Sequence, residues 1–162
     1  MGYQRSYQNK YLHMYHQLAS VTNQSLFTGI FPVKLKIVKV LPLFKKGNSH
    51  IFDNYRPISL LHSISKSIER IVYNQLYDYF IQTNLVYDSQ YGLRQLHSTE
   101  LAVLEITDRL TQDMDKGEIP ITIYLDLSKA FDTLNHNILL DELNYYGVRN
   151  KANDWFRSYL SG

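Results

Sequence analysis

Hydrophobic and polar positions alternate along this chain with two periods, one helical and one typical of strands. Apolar residues recur at three- and four-residue spacing from Ser63, which can cap a helix, to about Gln82, and again from Ser98 to about Gln112. Each stretch predicts an amphipathic helix. The residues predicted to face a core are Ile64, Ile68, Ile71, Leu76 and Phe80 in the first helix, and Leu101, Val103, Leu104 and Ile106 in the second.

Two other stretches follow the pattern of β-strands. Residues Ile37 to Phe44 predict a strand that is broken by Pro42, and the Lys45-Lys46-Gly47-Asn48 sequence predicts a turn that sends the chain back. The apolar run from Ile119 to Leu125 predicts a second strand, and Asp126 stands at its end. Both predictions add strands to a chain that is otherwise mostly helical.

Three more helices complete the pattern. A short helix from Leu18 should end near Thr28, before Gly29, and another should run from Thr133 to Tyr146, where Gly147 stops it. A last helix holds Trp155, Phe156 and Tyr159. Helices and strands in this order predict an α+β fold.

Length and composition limit the classes of protein that fit. A chain of 162 residues with 44% hydrophobic and 20% charged residues can bury one core or form one lobe of a larger protein. The absence of cysteine excludes disulfides, thiolate nucleophiles and cysteine metal sites. No apolar run reaches the roughly 20 residues that span a bilayer, so we expect a cytoplasmic or nuclear protein without a membrane partner.

The net charge of +2 hides an uneven distribution. Residues 1–72 carry ten Lys or Arg against Asp53 and Glu69, whereas residues 73–162 carry seven against thirteen acids. A basic segment favours contact with phosphates, because Lys and Arg displace the counterions of nucleic acid. The alternative is that these cations form a solvated face.

Asp126 and the residues that follow it carry the strongest chemical signal. An acid at the end of an apolar strand is poorly explained by packing, and such a carboxylate can hold a divalent metal. Phe131, five residues later, can contact whatever the metal binds, or it can belong to the core. Asp132 is either a second metal ligand or, as a favoured N-cap residue before a helix, a structural cap, and we favour the cap.

Four sequence motifs stand in a fixed order around these residues. They are Phe44-Lys45-Lys46-Gly47, Tyr55-Arg56-Pro57-Ile58-Ser59-Leu60-Leu61, Gln90-Tyr91-Gly92-Leu93-Arg94 running into Ser98-Thr99-Glu100, and Leu125-Asp126-Leu127-Ser128-Lys129-Ala130-Phe131-Asp132. In this order and at these separations they closely resemble the reverse transcriptase of LINE-type, non-LTR retrotransposons. The resemblance runs from about Leu18 to the last residue and leaves residues 1–17 outside it.

The resemblance implies part of a right-hand polymerase. Residues 18–112 correspond to the fingers and residues 113–162 to the first part of the palm. The parent activity is RNA-directed DNA polymerisation by a two-metal mechanism, with Mg²⁺ as cofactor and with an RNA template, a DNA primer and deoxynucleoside triphosphates as partners. The partner carboxylates of this site lie on a later strand, so we expect the chain to be truncated before the second catalytic motif and inactive alone.

The same resemblance assigns roles to individual residues. Asp126 is the catalytic metal ligand with the Leu127 carbonyl, and Phe131 excludes a 2′-hydroxyl by its volume. Arg56 clamps the triphosphate, with Lys45 and Lys46 as weaker candidates. The template backbone would be held by Gln90, Gly92, Arg94, Ser98 and Thr99. The chain departs from the family at Gln95-Leu96, where a Pro-Gly-like pair is common, and at Leu93, which replaces an aromatic residue.

Two other classes of function remain open from the sequence. A non-catalytic nucleic-acid-binding remnant would show salt-dependent binding without polymerisation. A phosphatase or phosphotransferase with an aspartate nucleophile also begins with an apolar strand that ends in Asp. Such enzymes usually place a second Asp two residues on, where this chain has Ser128, and they offer no role for Arg56.

Overall fold

A computed structural model of the chain describes residues 2–127 and 130–161, and within this part the fold is a mixture of helices and strands, as predicted. Five α-helices and one two-stranded sheet follow each other along the described residues. The elements are α1 Gly2–Thr28, β1 Lys39–Phe44, β2 Tyr55–Leu60, α2 Ser63–Gln82, α3 Thr99–Asp115, α4 His136–Tyr145 and α5 Lys151–Leu160. Short 3₁₀ turns lie at Val33–Leu35 and Phe52–Asn54.

The chain divides into two compact units. The first unit combines Met1–Gln75 with Asn135–Gly162, and the second is Leu76–Leu134. No helix in the described part of the chain is both long enough and apolar enough to cross a membrane.

The core of the first unit is aromatic and lies between α1, α2 and α5. Its buried residues are Phe31, Ile68, Val72 and Trp155. The ring of Phe31 meets Trp155 edge-on, with centroids 5.5 Å apart, and meets Tyr159 in the same way at 5.0 Å. Edge-to-face pairs of this kind stabilise a core beyond their buried area. The predicted helix around Trp155 is therefore confirmed as α5.

Buried polar groups in this unit have hydrogen-bond partners. The hydroxyl of Ser25 donates to the carbonyl of Ile30 at 2.7 Å and accepts from the indole nitrogen of Trp155 at 3.0 Å. The side-chain amide of Asn153 donates to the carbonyl of Leu140 at 2.8 Å. These bonds join α1 to α5 and α4 to α5, so they fix the helices around the core.

The C-terminal end of α1 was predicted correctly, but its start was not. Gly29 follows the helix with φ of +71°, and a Cβ added there would lie 3.0 Å from the carbonyl oxygen of Lys151. The helix begins at Gly2 instead of Leu18. Residues 3–17 contain no glycine or proline that would stop a helix, yet they also lack the apolar periodicity from which the prediction was made.

The predicted reversal after Phe44 is confirmed as a β-hairpin. Strands β1 and β2 pair antiparallel, and Gly47 in the connecting loop has φ of +92°. The predicted break at Pro42 is wrong, because β1 continues through it. Pro42 lies at a position where the ladder requires no backbone N–H, so the strand is not interrupted.

The bounds of α2 match the prediction, whereas its buried face is rotated. Ser65, Ile68 and Val72 are buried, and the predicted core residues Ile64 and Ile71 are exposed. Both faces of this helix offer apolar side chains, and contact with Phe31 and Trp155 decides which one is covered. The predicted outer face is confirmed, since Lys66, Arg70, Asn74 and Asp78 are all exposed.

Helix α3 in the second unit begins as predicted but buries none of its residues. The hydroxyl of Ser98 caps it by accepting a hydrogen bond from the backbone N–H of Leu101 at 3.3 Å. The predicted core role of four α3 residues is wrong in this structure, because all of them are exposed: Leu101, Val103, Leu104 and Ile106. An apolar stripe becomes a core only where a second element covers it.

The predicted strand from Ile119 to Leu125 is absent from the structure. This segment has no regular secondary structure, and Ile119 is 91% and Leu125 90% exposed. A strand requires a neighbour that pairs with its backbone, and the ladder among the described residues joins only β1 and β2. The apolar sequence therefore indicates the propensity of this segment to form a strand, but no described strand pairs with it.

The predicted helix after Asp132 starts later than expected. Asn135 is the N-cap of α4, and its side-chain oxygen accepts from the backbone N–H of Asn137 at 2.9 Å and of Ile138 at 3.4 Å. Asp132 is therefore not the cap, and the helix does not begin at Thr133. Asn and Asp cap helices about equally well, so sequence alone did not separate the two positions. The predicted stop is confirmed by Gly147, with φ of +96°.

Candidate functional site

The β-hairpin brings three of the predicted site residues onto one element of the first unit. Arg56 lies opposite Leu43 in the ladder, and two positions further on the backbone N–H of Lys45 donates to the carbonyl of Asn54 at 2.8 Å. The connecting loop is tight, because a Cβ added to Gly47 would lie 2.9 Å from the side-chain nitrogen of Asn54. Lys45, Lys46 and Arg56 are thereby held at the end of the hairpin.

These three cations are available to an external anion. All are exposed, and among the described residues no carboxylate forms an ion pair with any of them. Lys36, by contrast, donates to the carbonyl oxygens of Ser158 and Ser161 and is used within the fold. The hairpin therefore presents positive charge that the protein itself does not neutralise.

The predicted template-binding residues lie in the second unit, in the loop before α3 and at its first turn. Gln90 and Gly92 are exposed, and the backbone N–H of Gln90 donates to the carbonyl of Tyr87 at 3.0 Å. A Cβ added to Gly92 would meet nothing within 4 Å. The space beside the Gly92 backbone is therefore open to a ligand.

Arg94 differs from the other residues of this loop because its side chain turns inward. Only 17% of the side chain is exposed. One guanidinium nitrogen donates to the carbonyls of Tyr87 and Asp88, both at 3.1 Å. A second guanidinium nitrogen lies 3.9 Å from a carboxylate oxygen of Asp88.

The loop has an unusual backbone at the positions where the sequence departs from the family. Leu93 has φ of +59° and Leu96 has φ of +61°, a region that L-amino acids other than Asn and Asp rarely adopt. Leu96 is also 98% exposed, so no packing compensates for this conformation. The second residue of the Pro-Gly-like pair would be placed here at lower cost than leucine.

Ser98 and Thr99 stand where the loop enters α3. The Ser98 hydroxyl is occupied by the helix cap, and a hydrogen bond from Ser98, with a smaller contribution from a backbone N–H, lowers the pKa of Glu100. Thr99 is exposed at the first helical residue. Of these two side chains, Thr99 is the more accessible to a ligand.

Asp126 and Leu127 have no regular secondary structure, Phe131 lies in a turn, and all three are exposed residues of the second unit. Phe131 is 82% exposed, so it does not belong to a core in this structure. The carboxylate of Asp126 and the carbonyl of Leu127 are oxygen donors of the kind that hard divalent cations prefer. The described residues contain no cluster of three His, Asp or Glu side chains, so these two donors fit part of a coordination shell.

Sequence reasoning missed one feature beside the loop that is predicted to bind the template. Tyr91 donates its hydroxyl to Glu105, which also pairs with Arg109 one helical turn further along α3. These side chains line an open groove of about 640 Å³ together with Leu96 and Leu104. The four-residue spacing of Glu105 and Arg109 was a visible signal of the ion pair, whereas the partnership with Tyr91 depends on the path of the loop.

Comparison with known proteins identifies the family. The family model described as reverse transcriptase (RNA-dependent DNA polymerase) matches residues 44–162, which include Lys45, Lys46, strand β2 with Arg56, the loop before α3 and Asp126. The chain therefore belongs to the reverse transcriptase family, and the resemblance inferred from its four motifs is confirmed. This membership also argues against a phosphatase with an aspartate nucleophile.

The chain is similar to polymerases of mobile elements from Drosophila melanogaster. The chain is 35% identical over 138 residues to the probable RNA-directed DNA polymerase from transposon BS, covering 81% of this chain and 15% of that protein. It is 32% identical over 124 residues to the RNA-directed DNA polymerase from mobile element jockey, covering 76% and 14%. The chain thus spans about one seventh of the length of these relatives. No solved structure matches it.

Proposed function

We propose that this chain supplies the triphosphate-binding hairpin, the template-binding loop and the first catalytic carboxylate of an RNA-directed DNA polymerase from a non-LTR retrotransposon. The observation that carries the proposal is the family match over residues 44–162, which contains the three hairpin cations, the loop and Asp126. Residues 18–112 would belong to the fingers and residues 113–162 to the palm. The exposure of Lys45, Arg56, Asp126 and Phe131 supports these roles.

The reaction is transfer of a nucleotide to a primer. The 3′-hydroxyl of the primer attacks the α-phosphorus of a deoxynucleoside triphosphate, a new phosphodiester bond forms, and pyrophosphate leaves. Magnesium, when bound, would supply positive charge to the phosphates and lower the pKa of the attacking hydroxyl. Asp126 and the carbonyl of Leu127 would hold it, with further ligands from outside the described residues.

The remaining residues of this chain bind and select the substrates. Arg56 is suited to grip the triphosphate, because a guanidinium makes paired contacts of fixed geometry with phosphate oxygens. Phe131 would lie under the sugar and exclude a 2′-hydroxyl by volume. The exposed backbone at Gln90 and Gly92, with Thr99, would contact the template strand, whose phosphates position it without reading sequence.

A charge-matched comparison tests whether the hairpin is a specific site. The complete chain is titrated with fluorescently labelled, primed RNA and, separately, with a fluorescent deoxynucleoside triphosphate. The double variant Lys46→Ala with Arg56→Ala is compared with Lys34→Ala with Lys66→Ala, which removes the same charge from exposed positions elsewhere in the first unit. We expect the hairpin variant to weaken binding at least tenfold and the control to weaken it less than threefold, which correspond to about 1.4 and 0.6 kcal/mol.

Equal losses in the two double variants would contradict the proposal. They would show that the basic first part of the chain attracts phosphates as a diffuse, solvated face. All four side chains are exposed and none supports the core, so we expect each variant to keep the fold. Circular dichroism of each variant tests this expectation.

A further inference from the structure

We infer that Arg94 is a positioning residue, which holds the template-binding loop in shape for Gln90 and Gly92 and does not itself contact template phosphate. The inference rests on the proposed function of this loop. It assigns to Arg94 a different task from that of a typical cation in a nucleic-acid-binding segment.

The geometry of Arg94 carries the inference. One guanidinium nitrogen donates to two successive carbonyls, those of Tyr87 and Asp88, each at 3.1 Å. With 17% of its side chain exposed, Arg94 lies largely within the loop. The flat guanidinium with its fixed donors suits this double contact, whereas the ammonium of lysine has no such fork.

The bonds of Arg94 connect directly to the residues that face the template. The carbonyl of Tyr87 accepts from both the Arg94 guanidinium at 3.1 Å and the backbone N–H of Gln90 at 3.0 Å. Both lone pairs of this oxygen are therefore used, and the segment between residues 87 and 94 is closed into a turn. Gln90 and Gly92 stand on the exposed side of that turn.

The backbone conformation of Leu93 is a second reason to infer that Arg94 holds the loop in shape. Its φ of +59° turns the chain so that Arg94 reaches back to the loop, although leucine does not favour this conformation. A strained residue persists only when its surroundings fix it. Arg94 is the next residue, and its hydrogen bonds are the contacts that hold Leu93 in this conformation.

The ion pair of Arg94 contributes less than its hydrogen bonds. Asp88 is fully exposed, and its carboxylate oxygen lies 3.9 Å from the guanidinium. Water and salt screen such a pair. The neutral carbonyl acceptors are therefore the relevant partners of Arg94. We expect salt to have little effect on how these hydrogen bonds hold the loop.

Salt dependence separates the two roles. A cation that contacts phosphate releases a counterion when the complex forms, so its loss reduces the slope of log K against log salt by about 0.7 for a single strand. A positioning residue lowers affinity without changing this slope. Arg94→Lys also separates the two roles, because lysine keeps the positive charge but does not reproduce the double hydrogen bond of the guanidinium.

The experiment uses the complete chain and labelled single-stranded polyuridylate at several salt concentrations, with Arg94→Ala, Arg94→Lys and, as a phosphate-contact reference, Lys46→Ala. We expect both Arg94 variants to weaken binding about tenfold with an unchanged slope, and Lys46→Ala to lower the slope. Amide hydrogen exchange in the free protein supplies a readout that does not depend on RNA. The Gln90 amide should exchange at least tenfold faster in both Arg94 variants.

Two binding results would overturn the inference while the proposed function stands. One is wild-type affinity in Arg94→Lys, and the other is a slope lowered by Arg94→Ala as much as by Lys46→Ala. Unchanged exchange at Gln90 would also overturn it. Absence of RNA binding by the wild-type chain would instead overturn the proposed function, and the inference with it.

Discussion

Pro42 of β1 lies directly opposite Pro57 of β2 in the hairpin that carries Arg56. Neither proline has a backbone N–H to give to the ladder. The hydrogen bond from Lys45 to Asn54 places the bonded pairs at alternate positions, so Leu43 and Arg56 form a bonded pair and the two prolines do not. Both prolines thus occupy the one kind of pair that they do not disrupt.

This arrangement predicts a small loss of stability when a proline is removed from β2 and a larger loss when one is introduced into β1. Pro57→Ala keeps the ladder and loses only rigidity, so the hairpin should be destabilised by about 0.5–1 kcal/mol. Leu43→Pro removes an N–H from a bonded pair and should cost about 1–3 kcal/mol. Amide hydrogen exchange of the Arg56 N–H measures both. A larger loss for Pro57→Ala than for Leu43→Pro would contradict the assignment of the pairs.

Leu96 offers a stabilising substitution in the template-binding loop. Leu96→Gly should raise the free energy of unfolding by about 0.5–1 kcal/mol, because relief of a positive φ outweighs the added freedom of the unfolded chain. Leu125→Gly is the control, since Leu125 is equally exposed but has no positive φ. Urea denaturation should show a loss for the control. A loss of the same size for Leu96→Gly would mean that this position carries no strain.

Tyr159 should make the stability of the first unit depend on alkaline pH. Burial of the ring, together with its hydrogen bond to Glu69 at 3.0 Å, raises the pKa of Tyr159 to about 12 from its usual 10. The neutral phenol therefore stabilises the fold fully below pH 10, and this contribution is lost as the pH rises through 12. Because the ring is only partly buried, solvent screening reduces the effect to about 1 kcal/mol.

The measurement is urea denaturation at pH 9, 10, 11 and 12 of the wild type and Tyr159→Phe. The difference in unfolding free energy between the two proteins should shrink over the upper part of this range. Tyr145→Phe, which removes the hydroxyl of an exposed tyrosine, is the matched control. A constant difference for Tyr159→Phe would mean that its hydroxyl titrates alike in the folded and unfolded chain.

The elements that could be predicted are those with local signals. The bounds of α2 follow from its periodicity, and the reversal at Gly47 follows from turn chemistry. Burial could not be predicted in the same way, because Ile64 and Ile68 have the same local pattern and only tertiary contact covers Ile68. The segment at Ile119 has strand propensity, but pairing is a property of two segments and not of one.

The candidate site shows the same division. The four motifs identified the family, because their order and spacing can be read from the sequence. The inward turn of Arg94 was not predictable, since it depends on the positive φ of Leu93 and on the carbonyls of Tyr87 and Asp88. A sequence motif shows that an arginine is present but not which way its side chain points.

The role of Phe131 predicts a change in sugar selection. Residues 44–162 are placed in the jockey element polymerase in place of the aligned segment, and incorporation of ribonucleotides and deoxynucleotides is compared. Phe131→Ala should raise ribonucleotide use relative to deoxynucleotide use at least tenfold, which corresponds to about 1.4 kcal/mol. Phe52→Ala, which truncates another exposed phenylalanine, should leave the preference unchanged. Unchanged preference in Phe131→Ala would refute steric exclusion.

RNA-templated DNA synthesis by the same chimaeric polymerase tests the catalytic role of this chain most directly. Asp126→Ala should reduce synthesis by about three powers of ten or more, because it removes a carboxylate that the two-metal reaction requires. Asp141→Ala, which removes an exposed acid from α4, should leave the rate within about twofold of the unmodified chimaera. Synthesis at an unchanged rate in Asp126→Ala would contradict the assignment of the catalytic carboxylate and with it the proposed function of this chain.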